Sequence, residues 1–240
     1  MAQAAIPAPL VGTRASTRTT DSVLWRWAGG FGIAHIVVLL GAFAIEGVGT
    51  ESSSWAGTAN MFAAHPFHRI FYASYVEAMA FVLLVPALVL LARLLGRGTE
   101  SGRMAGKTAL GLGIAYVGAT LAIGFPPLTT SVYAAQHGAD SNVVASIDML
   151  RNHGFVLQVA LSLAFALALG VAALAGRTLT RWGGYVGVAV GAIGLVATPF
   201  AQNAASNAWI IWWVGLCVLC LKGGPRDSSE HVVAKPGAVT

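Results

Sequence analysis

The chain has 240 residues, of which 56% are hydrophobic and only 10% charged, with a formal net charge of +5. A soluble domain is nearer one quarter charged, so this composition excludes an ordinary soluble enzyme and makes the lipid bilayer the first expected partner. The positive balance is too weak and too dispersed for a nucleic-acid surface, and no nucleic-acid partner is expected.

Residues 1–22, rich in Ala, Thr and Pro, read as a disordered tail. Six apolar segments follow at about 24–46, 70–93, 108–127, 153–176, 183–200 and 208–221, the last two short for a span. Residues 223–240 read as a second tail. The fold class expected is therefore all-α: a polytopic membrane bundle of six transmembrane helices filling 23–222. With the N-terminus inside, twelve of the fourteen Lys and Arg residues fall on the cytoplasmic side, leaving only Arg69 and Arg151 outside. Such a bias predicts both termini in the cytoplasm, with 48–69 and 128–152 external.

Span one carries His35 near its middle and Glu46 four helical positions beyond Ala42 on the same stripe. Span two holds the least expected residue. Between Arg69 and Arg93 its one acid is Glu77, in a segment long enough to cross a core of roughly 30 Å. A carboxylate at the centre of such a helix costs roughly 2.5–3.5 kcal/mol on insertion scales, so Glu77 is expected to face protein or a wet cavity. Ser74 and Phe81 share its face, while Pro86 lies two turns further in and frees the Val82 carbonyl. Span three offers Tyr116. Span four opens with "DMLRNHGFVLQVALS", where Arg151, Gln158 and Ser162 fall on one stripe and Asp148 precedes Arg151 by three residues. Polar stripes on three helices that start outside and run inward predict an outward-opening pocket.

Other motifs carry less. "HPFHR" puts His65 and His68 three apart, but zinc needs at least three protein ligands and Pro66 interrupts the pair, so no metal site is expected. Cys217 and Cys220 lie in an apolar run on the reducing side and read as buried structural thiols. Span five bears Gly184, Gly187, Gly191 and Gly194, a small-residue stripe for close helix packing. No phosphate loop, nucleophile elbow or dinucleotide fingerprint occurs, and no cofactor is expected. "LARLLGR" at 91–97 is echoed by "VAALAGR" at 171–177, which suggests a parallel repeat of spans two and three in spans four and five.

The segments "YVEAMAFVLLVPALVLLARLL", "LRNHGFVLQVALSLAFALALGVAAL" and "RTLTRWGGYVGVAVGAIGLVA" resemble a bacterial family of uncharacterised six-span integral membrane proteins, a domain of unknown function. The resemblance covers roughly 65–200. It implies the same fold in a bacterial inner (cytoplasmic) membrane and marks Glu77 and Arg151, without implying an activity.

The functional expectation is a pocket around Glu77 that holds a small or lipophilic ligand for binding, sensing or transport. His35, Arg151, Gln158, Tyr116, Phe81, Tyr72 and His153 are the candidate neighbours. The alternative is a cofactor-independent enzyme, an isomerase or cyclase of isoprenoid or sterol-like substrates, with Glu77 and His35 as the acid–base pair. A third reading is a structural subunit of a membrane complex. The topology has its own check: cysteines at positions 53 and 141 are expected to react with an impermeant thiol reagent added outside intact cells, and one at 101 is not. The reverse pattern inverts the topology.

Overall fold

Long runs of Leu, Ala and Val form helices here because nothing interrupts them until a capping residue does. The computed structural model describes residues 13–47, 54–179 and 181–224. Glu51 lies outside these, as do 1–12 of the expected tail 1–22 and 225–240 of the expected tail 223–240. Among the described residues the elements are all helical. They are α1 (Thr13–Glu46), α2 (Trp55–Ala64), α3 (Phe67–Leu95), α4 (Glu100–Ala119), a π-helical turn (Thr120–Gly124), α5 (Phe125–Gln136), α6 (Ser141–Gly176) and α7 (Arg181–Leu221). Side-chain oxygens of Ser54, Thr99 and Asp140 accept backbone N–H groups and start α2, α4 and α6. Helix α1 starts at Thr13, inside the stretch expected as a tail, and Asp21 on it pairs with Arg97 at 2.6 Å. That pair ties the first turns of α1 to the end of α3.

Five helical runs are long and apolar enough to cross a membrane: 21–46, 67–95, 100–136, 141–176 and 181–221. This is the architecture of a multi-pass membrane protein. Two features differ from the expected segments. The third run continues past 127, because the π turn absorbs one extra residue and lets α4 pass into α5 despite Pro126 and Pro127. The fifth run joins the expected segments 183–200 and 208–221 without a separate loop. Helix α7 breaks at Ala201, whose φ of −147° and ψ of 49° are non-helical, just after Pro199. A Cβ added to Gly187 would lie 3.4 Å from the Trp212 ring, so the halves of α7 fold back side by side.

One end of the bundle, which carries Arg97, is drawn tight by small residues. A Cβ on Gly170 would sit 2.6 Å from the Val188 nitrogen, and one on Gly191 would sit 2.5 Å from the Leu167 nitrogen, so α6 and α7 touch backbone to backbone. The turns that follow α3 and α6 also exchange hydrogen bonds. Thr99 Oγ1 donates to the Ala175 carbonyl at 2.9 Å, and Thr178 Oγ1 donates to the Leu95 carbonyl at 2.8 Å. Cys217 and Cys220 are free and buried where α7 meets Gly29 of α1.

The opposite end, which carries Glu46, is built differently. Phe62, Ile70, Leu128, Val132 and Val144 form a small second core joining α2, α3, α5 and α6. Arg69 Nε donates to the Ile45 carbonyl at 2.6 Å and closes the last turn of α1.

These contacts predict opposite outcomes for the same substitution. Gly170→Ala and Gly191→Ala should each lower stability by about 1–3 kcal/mol, because backbone atoms cannot yield. Gly41→Ala and Gly215→Ala, which meet open space, should leave stability unchanged or slightly raised. Thermal unfolding of the four variants in one detergent distinguishes them.

Candidate functional site

Helical phase carries Glu77 to the inside of α3, with Phe81 one turn deeper on the same stripe. The two residues face a cavity of about 530 Å³ enclosed by α1, α3, α4, α6 and α7. Its mouth is at the Glu46 end, where exposed Asn203 and Asn207 stand on the rim. The cavity is as large as a small-molecule site and combines apolar walls with a few converging polar groups.

Three electrostatic features define it. Glu46 and Glu77 both line the wall, Glu46 acts on the charge of Glu77, and Arg151 acts on both. Arg151 is nonetheless committed elsewhere: its Nε donates to Asp148 Oδ1 at 2.9 Å. Asn152 Nδ2 supports the other Asp148 oxygen at 3.3 Å. Among the described residues, neither Glu46 nor Glu77 makes an ion pair within 4 Å. The walls thus hold two carboxylates and one arginine that already has a partner.

The floor is aromatic. Phe81 and Tyr116 meet edge to face at 5.5 Å between centroids, and Tyr116 meets Trp209 the same way at 5.6 Å. Trp209 stacks on Trp213 at 5.8 Å, and Trp213 contacts Phe165. The chain of rings crosses from α3 through α4 and α7 to α6, and it closes the cavity from the rest of the interior. The π turn shapes one wall. It brings Gly124 so close to α6 that a Cβ there would be 3.4 Å from the Gln158 side-chain nitrogen.

Of the candidates read from the sequence, Glu77, Phe81, Tyr116, Arg151 and Gln158 line this one cavity. Three do not. His35 is fully buried behind Phe81, with ring centroids 5.1 Å apart, and its Nδ1–H donates to the Ala80 carbonyl at 2.9 Å. It ties α1 to α3 and leaves Nε2 without a partner. Tyr72 is 59% exposed, since five residues before Glu77 is about 140° around the helix. His153 is also exposed, because it lies two residues past Arg151 and about 200° away. Among the described residues no histidine lines the cavity. His65 and His137 bond through Nδ1 to the carbonyls of Met61 and Tyr133 in their own helices. No group of three or more His, Cys, Asp or Glu among the described residues is placed to hold a metal.

Most of the polar residues that sequence reasoning missed come from one short stretch, "AQNAASNAW" at 201–209; Asn152 beside Arg151 is another. Gln202, Asn203, Ser206, Asn207 and Trp209 all line the cavity. Their spacing at i, i+1, i+4 and i+5 was the available signal, since it puts the four polar residues on one helical face.

No family model matches the chain, no curated protein is similar to it, and no solved structure matches it. The chemistry of the site therefore rests on its own geometry.

The Asp148–Arg151 pair should be measurable. Asp148 is buried, so Asp148→Asn should cost about 1–3 kcal/mol by weakening a charge-assisted bond. Arg151→Gln should cost less in that background than in the wild type. Thermal unfolding of the two single variants and the double gives the coupling; simple additivity would mean that the pair contributes nothing.

Proposed function

We propose that the protein crosses a bilayer six times, with both termini in the cytoplasm, and holds a small, partly apolar ligand in the cavity around Glu77. The observation that carries the reading is the cavity itself. Two carboxylates without ion-pair partners among the described residues stand above an aromatic floor, in a bundle whose outer faces are apolar. Such a site has the two surfaces that an amphipathic small molecule needs.

The fold-back of α7 at Ala201 supports six crossings, because each half then runs the bundle in its own direction. Arg93, Arg97, Arg103, Lys107, Arg177 and Arg181 gather at one end, which supports a cytoplasmic Arg97 end and a cavity open to the outside. A bacterial cytoplasmic membrane suits that orientation. The reciprocal bonds Thr99 to Ala175 and Thr178 to Leu95 support the parallel repeat, since Leu95 and Ala175 are equivalent in the aligned segments.

Binding or sensing fits better than transport. Below the rings the interior is filled by buried Leu88, Leu91, Phe165 and Leu169, and a transporter needs a second path there. The acid–base enzyme has its acid in Glu77, but His35 is held behind Phe81 on a backbone carbonyl.

Thiol accessibility tests the reading. Ser206→Cys should react with a neutral, impermeant maleimide added outside intact cells, and Ser162→Cys, deeper in the cavity, should react more slowly. Ser74→Cys, buried outside the cavity, should not react. Reaction of Ser206→Cys only in inside-out vesicles would reverse the orientation. Protection of both Ser206→Cys and Ser162→Cys from either side would remove the ligand cavity.

A further inference from the structure

We infer that the ligand of this cavity is an organic ammonium ion, whose charge lies between Glu46 and Glu77 and whose organic part rests on the rings of Phe81, Tyr116 and Trp209. The inference rests on the reading of the cavity as a ligand site and adds the class of ligand.

Charge is the first argument. The lining residues include Glu46, Glu77 and Arg151, and Arg151 is matched by Asp148 at 2.9 Å. What remains is two carboxylates that repel each other, with no lysine or second arginine on the wall among the described residues. His65, which acts on Glu46 from α2, lies outside the lining and has Nδ1 bonded to the Met61 carbonyl at 2.7 Å. An anionic ligand would add to the repulsion. With a neutral one the acids could shed their charge only by binding protons. One cation placed between the acids answers both, because opposite charge is favoured most where water is scarce.

The floor is the second argument, and it does not depend on the first. Phe81, Tyr116 and Trp209, held edge to face at 5.5 and 5.6 Å, all line this space, and aromatic rings carry negative faces. Ammonium groups are stabilised over such faces, most strongly over Trp. Inorganic cations would gain less. A hard metal ion seeks six or more oxygens, the floor supplies carbon, and about 530 Å³ is far more room than a stripped ion needs. The rim completes the match, since Gln202, Asn203, Ser206 and Asn207 offer oxygens to the hydrogens of an amine.

The test uses the full chain in lipid nanodiscs near neutral pH and three probes of similar shape: 2-phenylethylammonium, the neutral 2-phenylethanol, and anionic 3-phenylpropanoate. Isothermal titration should show saturable binding of the ammonium, about tenfold or more tighter than the alcohol, and none of the carboxylate. Glu46→Gln and Glu77→Gln should each weaken the ammonium by about tenfold and leave the alcohol unchanged. Glu100→Gln, at the opposite end and paired with Arg103, should change neither.

Equal affinity for ammonium and alcohol, or a preference for the carboxylate, would overturn the ammonium assignment while leaving the cavity as a ligand site. Failure of all three probes to bind folded protein would also overturn it, and the thiol-accessibility result then decides separately whether a ligand cavity exists. The ranking of the probes on the wild type is decisive even if the glutamine variants do not fold.

Discussion

A carboxyl group on a helix that crosses lipid has to be sheltered, and most of this structure answers to that need at Glu77. Exposure to lipid would cost roughly 2.5–3.5 kcal/mol at the helix centre, a sizeable part of a domain's net stability. The bundle meets the need by being uneven along its axis. At the Arg97 end, glycines at 29, 170 and 191 bring backbones together, and the turns after α3 and α6 lock through two threonine hydroxyls. Backbones meet directly there. At the Glu46 end the helices stand apart, the short α2 and α5 fill the periphery around their own small core, and a cavity opens beside Glu77. Tight packing below and loose packing above are thus two sides of one arrangement.

The aromatic layer separates these regimes. Phe81, Tyr116, Trp209 and Trp213 come from three different helices, and their edge-to-face and stacked contacts let large rings meet without voids. His35 belongs to this layer by contact, and its bond to the Ala80 carbonyl fixes α1 against α3 one turn below Glu77. A buried imidazole with one nitrogen bound to backbone is a rigid spacer. Its position behind Phe81 makes it a support of the floor instead of a group of the cavity.

Much of the fold was legible because lipid imposes a simple rule: long apolar runs become helices and charged ends mark the surface. Glu77 was legible as an acid within an apolar span, Phe81, Arg151 and Gln158 through helical phase, and Tyr116 only as a polar ring on span three; all five line one cavity. Tyr72 and His153 were chosen for their chemistry and against phase, which puts them about 140° from Glu77 and 200° from Arg151 around their helices. The stretch 201–209 was missed for a different reason. A short polar run between two short apolar ones reads as a connection between spans, and only the dihedral break at Ala201 shows that the chain reverses there and stays helical afterwards. The tail boundary was missed because Asp21 and Arg97, distant in sequence, pair across the bundle.

The repeat reading adds a reason why the site is where it is. On that reading α3 with α4 matches α6 with the first half of α7, and the likeness is closest at the Arg97 end, where Thr99 and Thr178 exchange bonds. Going toward Glu46 the two units part. The first takes a π turn at Thr120–Gly124 and runs on through α5 into the small second core. The second breaks at Ala201 and turns back, returning Trp209 and Trp213 toward the axis. Two equivalent units would have built two equivalent half-sites facing each other. Their divergence instead supplies different partners on each wall: amides and an indole from α7, and the Gly124 backbone with the Gln158 amide opposite. Glu77 and Glu46 come from α3 and α1, so the acids sit on one side of the space and the α7 amides on another. An asymmetric cavity of this kind orients an asymmetric ligand, charged at one end and apolar at the other, which a symmetric one would not.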